Sequence, residues 1–136
     1  MAINNEHYQL RQIVLMESEM RRVADVRQSD PKFGNNINVE VTVSTTPTTE
    51  LLVEVAVKYE SKVEGEEQID FYMFVKMLGI FDTPADEKFT IEKFGEVNGA
   101  AIIFPFVREH IAALSTKSAL GTVLLPPINF TQNNAD

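Results

Sequence analysis

The chain has 136 residues, enough for one domain with a real core. Its 12 basic and 20 acidic residues leave a net charge of −8. That charge repels phosphate backbones and anionic lipid and argues against nucleic acid or a membrane surface as the main partner. There is no cysteine, which excludes disulfides, thiol catalysis and thiolate metal sites.

Met1 to His7 carry no basic segment followed by an apolar stretch, so no signal peptide is expected. No window is expected to be long and apolar enough to span a bilayer. These features point to a cytoplasmic chain forming a single domain over residues 1–136, with residues 1–7 and 131–136 disordered.

Tyr8 to Val23 alternates as a strand would. Tyr8, Leu10, Gln12, Val14 and Met16 then share one face, and Ile13 and Leu15 the other. VLMESEMRRVADV also contains good helix formers, so the helical reading stays open at this point. Asp25 to Asn36, with Pro31 and Gly34, reads as a loop. Ile37 to Thr45 shows the clearest period of two: Ile37, Val39, Val41 and Val43 against Asn38, Glu40, Thr42 and Ser44. Thr46 to Thr49 forms a turn around Pro47. Leu51 to Val63 alternates again, and Glu64 to Glu67, holding Gly65, forms a tight turn.

Gln68 to Phe81 is a further strand. Ile69, Phe71, Met73, Val75 and Met77 take one face, and Tyr72, Phe74, Leu78 and Ile80 make the other apolar too. Antiparallel sheets usually solvate one face, so a second layer or another subunit is expected over the extra one. Phe89, Ile91 and Phe94 could supply one helical turn within Asp82 to Asn98.

Ala100 to Lys117 reads as an amphipathic helix with Ile102, Ile103, Phe106, Val107, His110, Ile111 and Leu114 on its apolar face. Pro105 predicts either a kink or a helix that starts near it. The helix should stop at Gly121 or a few residues earlier. Val123 to Phe130 cannot be helical, because Pro126 and Pro127 remove donors and hold the chain extended. It forms an apolar ribbon. Four strands followed by helices read as α+β.

Catalytic chemistry is scarce. The two histidines, His7 and His110, are far apart in sequence, and with no cysteine a zinc site is not expected. No glycine-rich phosphate loop and no Gly-x-Ser-x-Gly elbow occur. Glu60, Glu64, Glu66, Glu67 and Asp70 cluster around the expected second turn, where carboxylates are solvated. No enzyme, no cofactor and no metal are expected. Exposed apolar surface is what the chain has in surplus. Ile37, Val39 and Val41 with the ribbon from Leu124 to Ile128 could form a groove, with the ribbon mobile, that accepts extended non-native polypeptide. A pocket for a small molecule between helix and sheet is the rival reading.

The runs IIFPFVREHI and LLPPINF, separated by a small-residue break, resemble the C-terminal half of SecB-type protein-export chaperones. YQLRQIVLMESEM is similar to the aromatic-Gln-aliphatic opening of that family and favours a strand at Tyr8 to Val23. The resemblance covers about residues 8 to 130. It implies an α+β fold with a four-stranded antiparallel sheet and helices packed on one face. It further implies an ATP-independent holdase for unfolded or precursor polypeptides in protein export, assembled as a dimer of dimers. By the same resemblance, client binding falls to Phe33, Ile37, Val39, Val41, Leu124 and Leu125, and contact with a SecA-type motor to Glu17. Two departures weaken the motor contact: Arg21 and Phe74 stand where acids are expected, and the chain ends six residues after Phe130, without the further helix and acidic tail. Chaperoning of antitoxins in a toxin–antitoxin system is the alternative the resemblance allows.

Overall fold

The structure is a computed structural model and describes residues 9–22, 33–47, 50–63, 67, 69, 71–82, 95–118 and 122–130. Four strands form one antiparallel sheet: β1 (Gln9–Arg22), β2 (Phe33–Thr45), β3 (Glu50–Val63) and β4 (Phe71–Asp82). A π-helical turn, Gly95–Gly99, leads into helix α1 (Ala100–Lys117). The architecture is therefore the expected α+β one, with a single helical layer among the described residues. The expected helical turn at Phe89 to Phe94 lies outside them.

The strand order is β1-β4-β3-β2. β2, β3 and β4 follow one another as an antiparallel meander, as their alternating patterns and short connections predict. β1 sits beside β4, at the edge opposite β2. β2 begins four residues earlier than expected, so Phe33 to Asn36 belong to the strand and not to a loop.

The predicted faces of β1 are wrong, and two bulges are the reason. The register slips between Leu10 and Gln12 and again between Leu15 and Glu17. Each extra residue reverses the parity of the strand. Leu10, Ile13 and Leu15 consequently lie opposite Phe81, Gly79 and Met77, all on one face, while Gln12 and Val14 lie opposite Ile80 and Leu78 on the other. Beyond the second bulge, Ser18, Met20 and Arg22 stay on the first face.

α1 packs on that face, mainly over β3 and β4. Leu51, Val53, Val55 and Val57 of β3 and Phe71, Met73, Val75 and Phe81 of β4 are fully buried beneath it. The helix contributes Ala100, Ile103, Phe104, Val107, Ile111 and Ser115. This stripe differs from the predicted one: Ile102 and Phe106 are 41% and 48% exposed. The helix runs from Ala100 through Pro105, so it does not begin at the proline. Glu96–Lys117 is long and apolar enough, by length and composition alone, to cross a membrane, contrary to expectation. Here 33% of that apolar window is buried, Ile103, Val107 and Ile111 among its buried side chains.

α1 closes at Lys117, where the Ser118 N–H and hydroxyl both donate to the Ser115 carbonyl. The chain then turns back as the ribbon. Val123 N–H donates to Ser115 Oγ at 2.7 Å, and the Thr116 and Thr122 hydroxyls meet at 2.8 Å. Leu125 is 1% exposed, and Phe130 packs edge-on against Phe104 with centroids 5.8 Å apart. The ribbon is thus held at both ends and in the middle in this conformation.

Candidate functional site

The helix is narrower than the sheet it covers. At β3 the side chains beneath it are fully buried, but their direct neighbours on β2 are not. Val39, Val41 and Val43, opposite Val57, Val55 and Val53, are half-buried. Ile37, opposite Tyr59, is 37% exposed. The helix-side face of β2 is therefore an apolar strip that emerges from under the core, as period-two alternation on a half-covered strand must produce.

The site residues inferred from sequence divide clearly. Ile37, Val39 and Val41 share this strip. Phe33 is the first residue of β2, its backbone opposite Val63. Leu124 is 68% exposed, the most exposed large apolar side chain described. Its neighbour Leu125 points the other way into the core, so it offers no surface in this conformation. Side chains of an extended ribbon tend to alternate, and here Leu125 faces in and Leu124 out.

A second apolar surface flanks α1 on its β1 side, and sequence reasoning missed it. His110 Nε2 lies 2.8 Å from Ser18 Oγ, which ties one stripe of the helix to β1. Ile102 and Phe106 lie eight and four residues before His110, on that same stripe. Leu15 and Met20, on the helix-side face of β1, are 46% and 36% exposed. All four side chains are exposed. The signal was present in the sequence, in a helix apolar over more than one face, but its periodicity alone could not say which stripe would be buried.

The far face of the sheet carries a lattice of charges and rings. Glu17 is bound by Lys76 at 3.3 Å, and Lys76 also reaches Glu54 at 3.8 Å. Arg21 pairs with Glu19 at 3.4 Å and stacks 5.4 Å from the Tyr72 ring centre. Lys76 lies 5.9 Å from the ring centre of Phe74. Glu60, read as part of a turn cluster, is on β3 and pairs with Lys58 at 3.4 Å. These pairs are largely exposed and add little stability; Glu17 stays 57% exposed and shares Lys76 with Glu54. At the end of the sheet, Arg11 in the first bulge bridges Glu50 at 2.6 Å and Asp82 at 3.4 Å.

Among the described residues no three or more His, Cys, Asp or Glu side chains come together to hold a metal. The space between α1 and the sheet, where a small-molecule pocket was the rival expectation, is occupied by fully buried Ile103, Val107 and Ile111.

The described residues form an α+β domain, with a helix over a four-stranded sheet and exposed apolar side chains on either flank. Residues 12–134 match the family described as preprotein translocase subunit SecB, and the chain belongs to that family. An uncharacterized protein of Methanocaldococcus jannaschii is 27% identical over 113 residues, covering 77% of this chain and 68% of that protein. The protein-export protein SecB of Saccharophagus degradans is 29% identical over 103 residues, covering 76% of this chain and 60% of that protein. The chain thus spans about three-fifths of the length of that SecB protein. A SecB-like chaperone of Mycobacterium tuberculosis, solved with a ChAD peptide from the HigA1 antitoxin, superposes with a TM-score of 0.74 at 16% identity. That match covers 90% of this chain and 91% of the other, and at this identity the likeness is one of fold.

Proposed function

We propose that this protein is an ATP-independent holdase that binds unfolded or precursor polypeptide on the apolar strip of β2 and the neighbouring ribbon. It acts in the cytoplasm without catalysis or cofactor. The observation that carries this reading is the strip itself, where Ile37, Val39, Val41 and Val43 lie only part-covered beside a fully buried core. Burying such surface against a client yields roughly 25 cal/mol per Å², less the cost of ordering the client. The interaction needs no particular client sequence. Phe33, Leu124 and the strip line the binding surface, and Leu125 supports it from below.

A homo-oligomer forms through Leu15, Met20, Ile102 and Phe106, since a patch of that kind on both a strand and a helix calls for cover. The family's dimer of dimers is the assembly this would build.

Two destinations for clients are open. Export through a SecA-type motor uses Glu17, but Glu17 is engaged by Lys76, and Arg21 and Phe74 replace the acids that would reinforce it. Service to an antitoxin is favoured by the loss of those two acids and by the fold shared with a chaperone solved on an antitoxin peptide.

The test is titration with a slow-folding precursor, unfolded and folded, against the native protein and an Ile37→Asp/Leu124→Asp variant. Binding of only the unfolded form, lost in the variant while its circular dichroism is unchanged, is the expected result. Undiminished binding by the folded variant would remove the groove assignment.

A further inference from the structure

We propose that His110 makes self-association of this protein pH-dependent: copies that meet between β1 and α1 cover a neutral His110, and protonation of that imidazole on acidification separates them. This rests on the reading of Leu15, Met20, Ile102 and Phe106 as the self-contact and adds what governs it.

Acidic residues are scarce on this side of the molecule. The chain carries a net −8, and two such chains repel unless they meet where acids are few. The helix-side face of β1 runs Leu10, Ile13, Leu15, Ser18, Met20 and Arg22, with no acid among them, while Glu17 and Glu19 lie on the far face. α1 has a single acid, Glu109, which follows Phe106 by three residues and borders the exposed stripe. Arg22 and Lys117 supply positive charge at the same end of the two elements. The exposed apolar side chains of β1 and α1 therefore lie where a second copy meets little like charge.

His110 sits among these groups with a neutral partner. It is half-buried, and its Nε2 lies 2.8 Å from Ser18 Oγ. A serine hydroxyl serves either tautomer of a neutral imidazole and brings no charge. The ionisable side chains around it are known among the described residues. Arg22 lies four residues along β1 from Ser18, where it donates to the Ser118 carbonyl, and Lys117 lies seven residues along α1 from His110. Both are cations. The helix-side face of β4 has no ionisable group, that of β3 has only the Tyr59 phenol, and residues 122–130 of the ribbon have none. Glu109 is the next residue to His110 on α1 and so points about 100° away. In a single copy an imidazolium at this position keeps part of its water. Beneath the apolar side chains of a second copy it loses that water and gains no carboxylate, which disfavours the charged form. Histidine is the side chain that changes charge between about pH 8 and pH 5. The assembled form then binds fewer protons than the separate copies, so association is full on the alkaline side of that range and is lost as pH falls through it. Each proton taken up on separation weakens association by up to about tenfold per pH unit, and a pair of copies takes up two.

Light scattering at one protein concentration, from about pH 8 down to about pH 5.5, spans the histidine range and stays above the usual carboxylate range. The chain has two histidines, His7 and His110, so each is replaced in turn. The native protein and His7→Gln should lose mass as pH falls. His110→Gln, which keeps a hydrogen-bonding group for Ser18 and takes no proton, should hold its mass while its circular dichroism matches the native spectrum. An equal fall in His110→Gln, or a native oligomer whose mass does not change with pH, overturns the proposal. Association that tightens in acid also overturns it, because it would put a carboxylate, such as a second copy's Glu109, beside the imidazole. A native protein that is monomeric at every pH and concentration overturns the self-contact and this inference together, and the client titration at about pH 8 then judges the holdase reading by itself. If His110→Gln does not fold, dilution calorimetry of His7→Gln in two buffers of different ionisation enthalpy decides, since its one histidine is His110. Proton uptake on dissociation at about pH 6.5, approaching one per chain, is expected, and no uptake overturns the proposal.

Discussion

Replacing Gly79 by alanine tests why the helix can sit where it does. Gly79 is on the helix-side face of β4, between Ile13 of β1 and Val53 of β3. A Cβ there would lie 2.5 Å from Ile103 Cδ1, 2.9 Å from Ile103 Cγ1 and 3.2 Å from Phe81 Cε1. Favourable carbon contacts begin near 3.5 Å, so Ile103 must retreat by about 1 Å. It is fully buried. An off-rotamer isoleucine costs about 0.5–1.5 kcal/mol, and overpacking a core costs roughly 1–3 kcal/mol. Alanine recovers about 0.5–1 kcal/mol through lower backbone entropy in the unfolded chain. A net loss of about 1–2 kcal/mol is expected for Gly79→Ala. Ile103→Val removes the closest atom and alone costs about 0.5–1.5 kcal/mol. Valine keeps a carbon at the 2.9 Å position, so the double variant should recover only part of the Gly79→Ala loss, a coupling of roughly 1 kcal/mol. Urea unfolding at one fixed protein concentration reads all four forms; at about 1–3 kcal/mol per molar, the single glycine variant shifts the midpoint by roughly 1 M. Additive losses, or a Gly79→Ala protein as stable as the native one, would refute the claim that this glycine seats Ile103.

Three further outcomes are expected. Leu125→Ala should cost about 2–5 kcal/mol in urea unfolding, because the side chain is 1% exposed. Leu124→Ala should stay within about 0.5 kcal/mol of the native protein and weaken client binding instead; equal stability losses would show that the ribbon faces are misassigned. Ser115→Ala deprives the Val123 N–H of its acceptor, and about 1–3 kcal/mol should be lost, with faster amide exchange at Val123 as the specific sign. Burial raises the Tyr59 phenol above its ordinary value of 10.0. The folded state therefore keeps a proton that the unfolded chain gives up above about pH 10. This contribution is complete below that pH and is lost as pH rises from there through the folded-state value. Relative to Tyr59→Phe, the native protein should lose stability only in that alkaline range; parallel curves would count against the burial of this ring.

Much of the fold could be read from local pattern. β2 and β3 alternate strictly because each has one face on the core, and their limits fall within a few residues of the expected ones. α1 spans the expected Ala100–Lys117. The apolar strip of β2 was also visible, since Ile37, Val39 and Val41 stand out against polar neighbours. What escaped is of another kind. No local signal marks the bulges at Arg11 and Met16, yet they decide which side chains of β1 face the helix. Nor does any local signal place β1 beside β4.

The helix and ribbon show the boundary between the two sources of information most directly. Periodicity along the chain reflects backbone geometry, a property of neighbouring residues, and so the sequence by itself determined that α1 is a helix and Val123 to Phe130 is extended. It could not choose among faces. Ile102, Ile103, Phe104, Phe106 and Val107 make α1 apolar over much of its circumference, and its buried stripe follows from the hollow at Gly79 that receives Ile103. Leu124 and Leu125 are chemically identical neighbours. The Ser115 hydroxyl fixes the ribbon at Val123, and the core then takes Leu125 and leaves Leu124 in solvent. Tertiary structure decides such matters because burial depends on what arrives from elsewhere in the chain, and no local period encodes that.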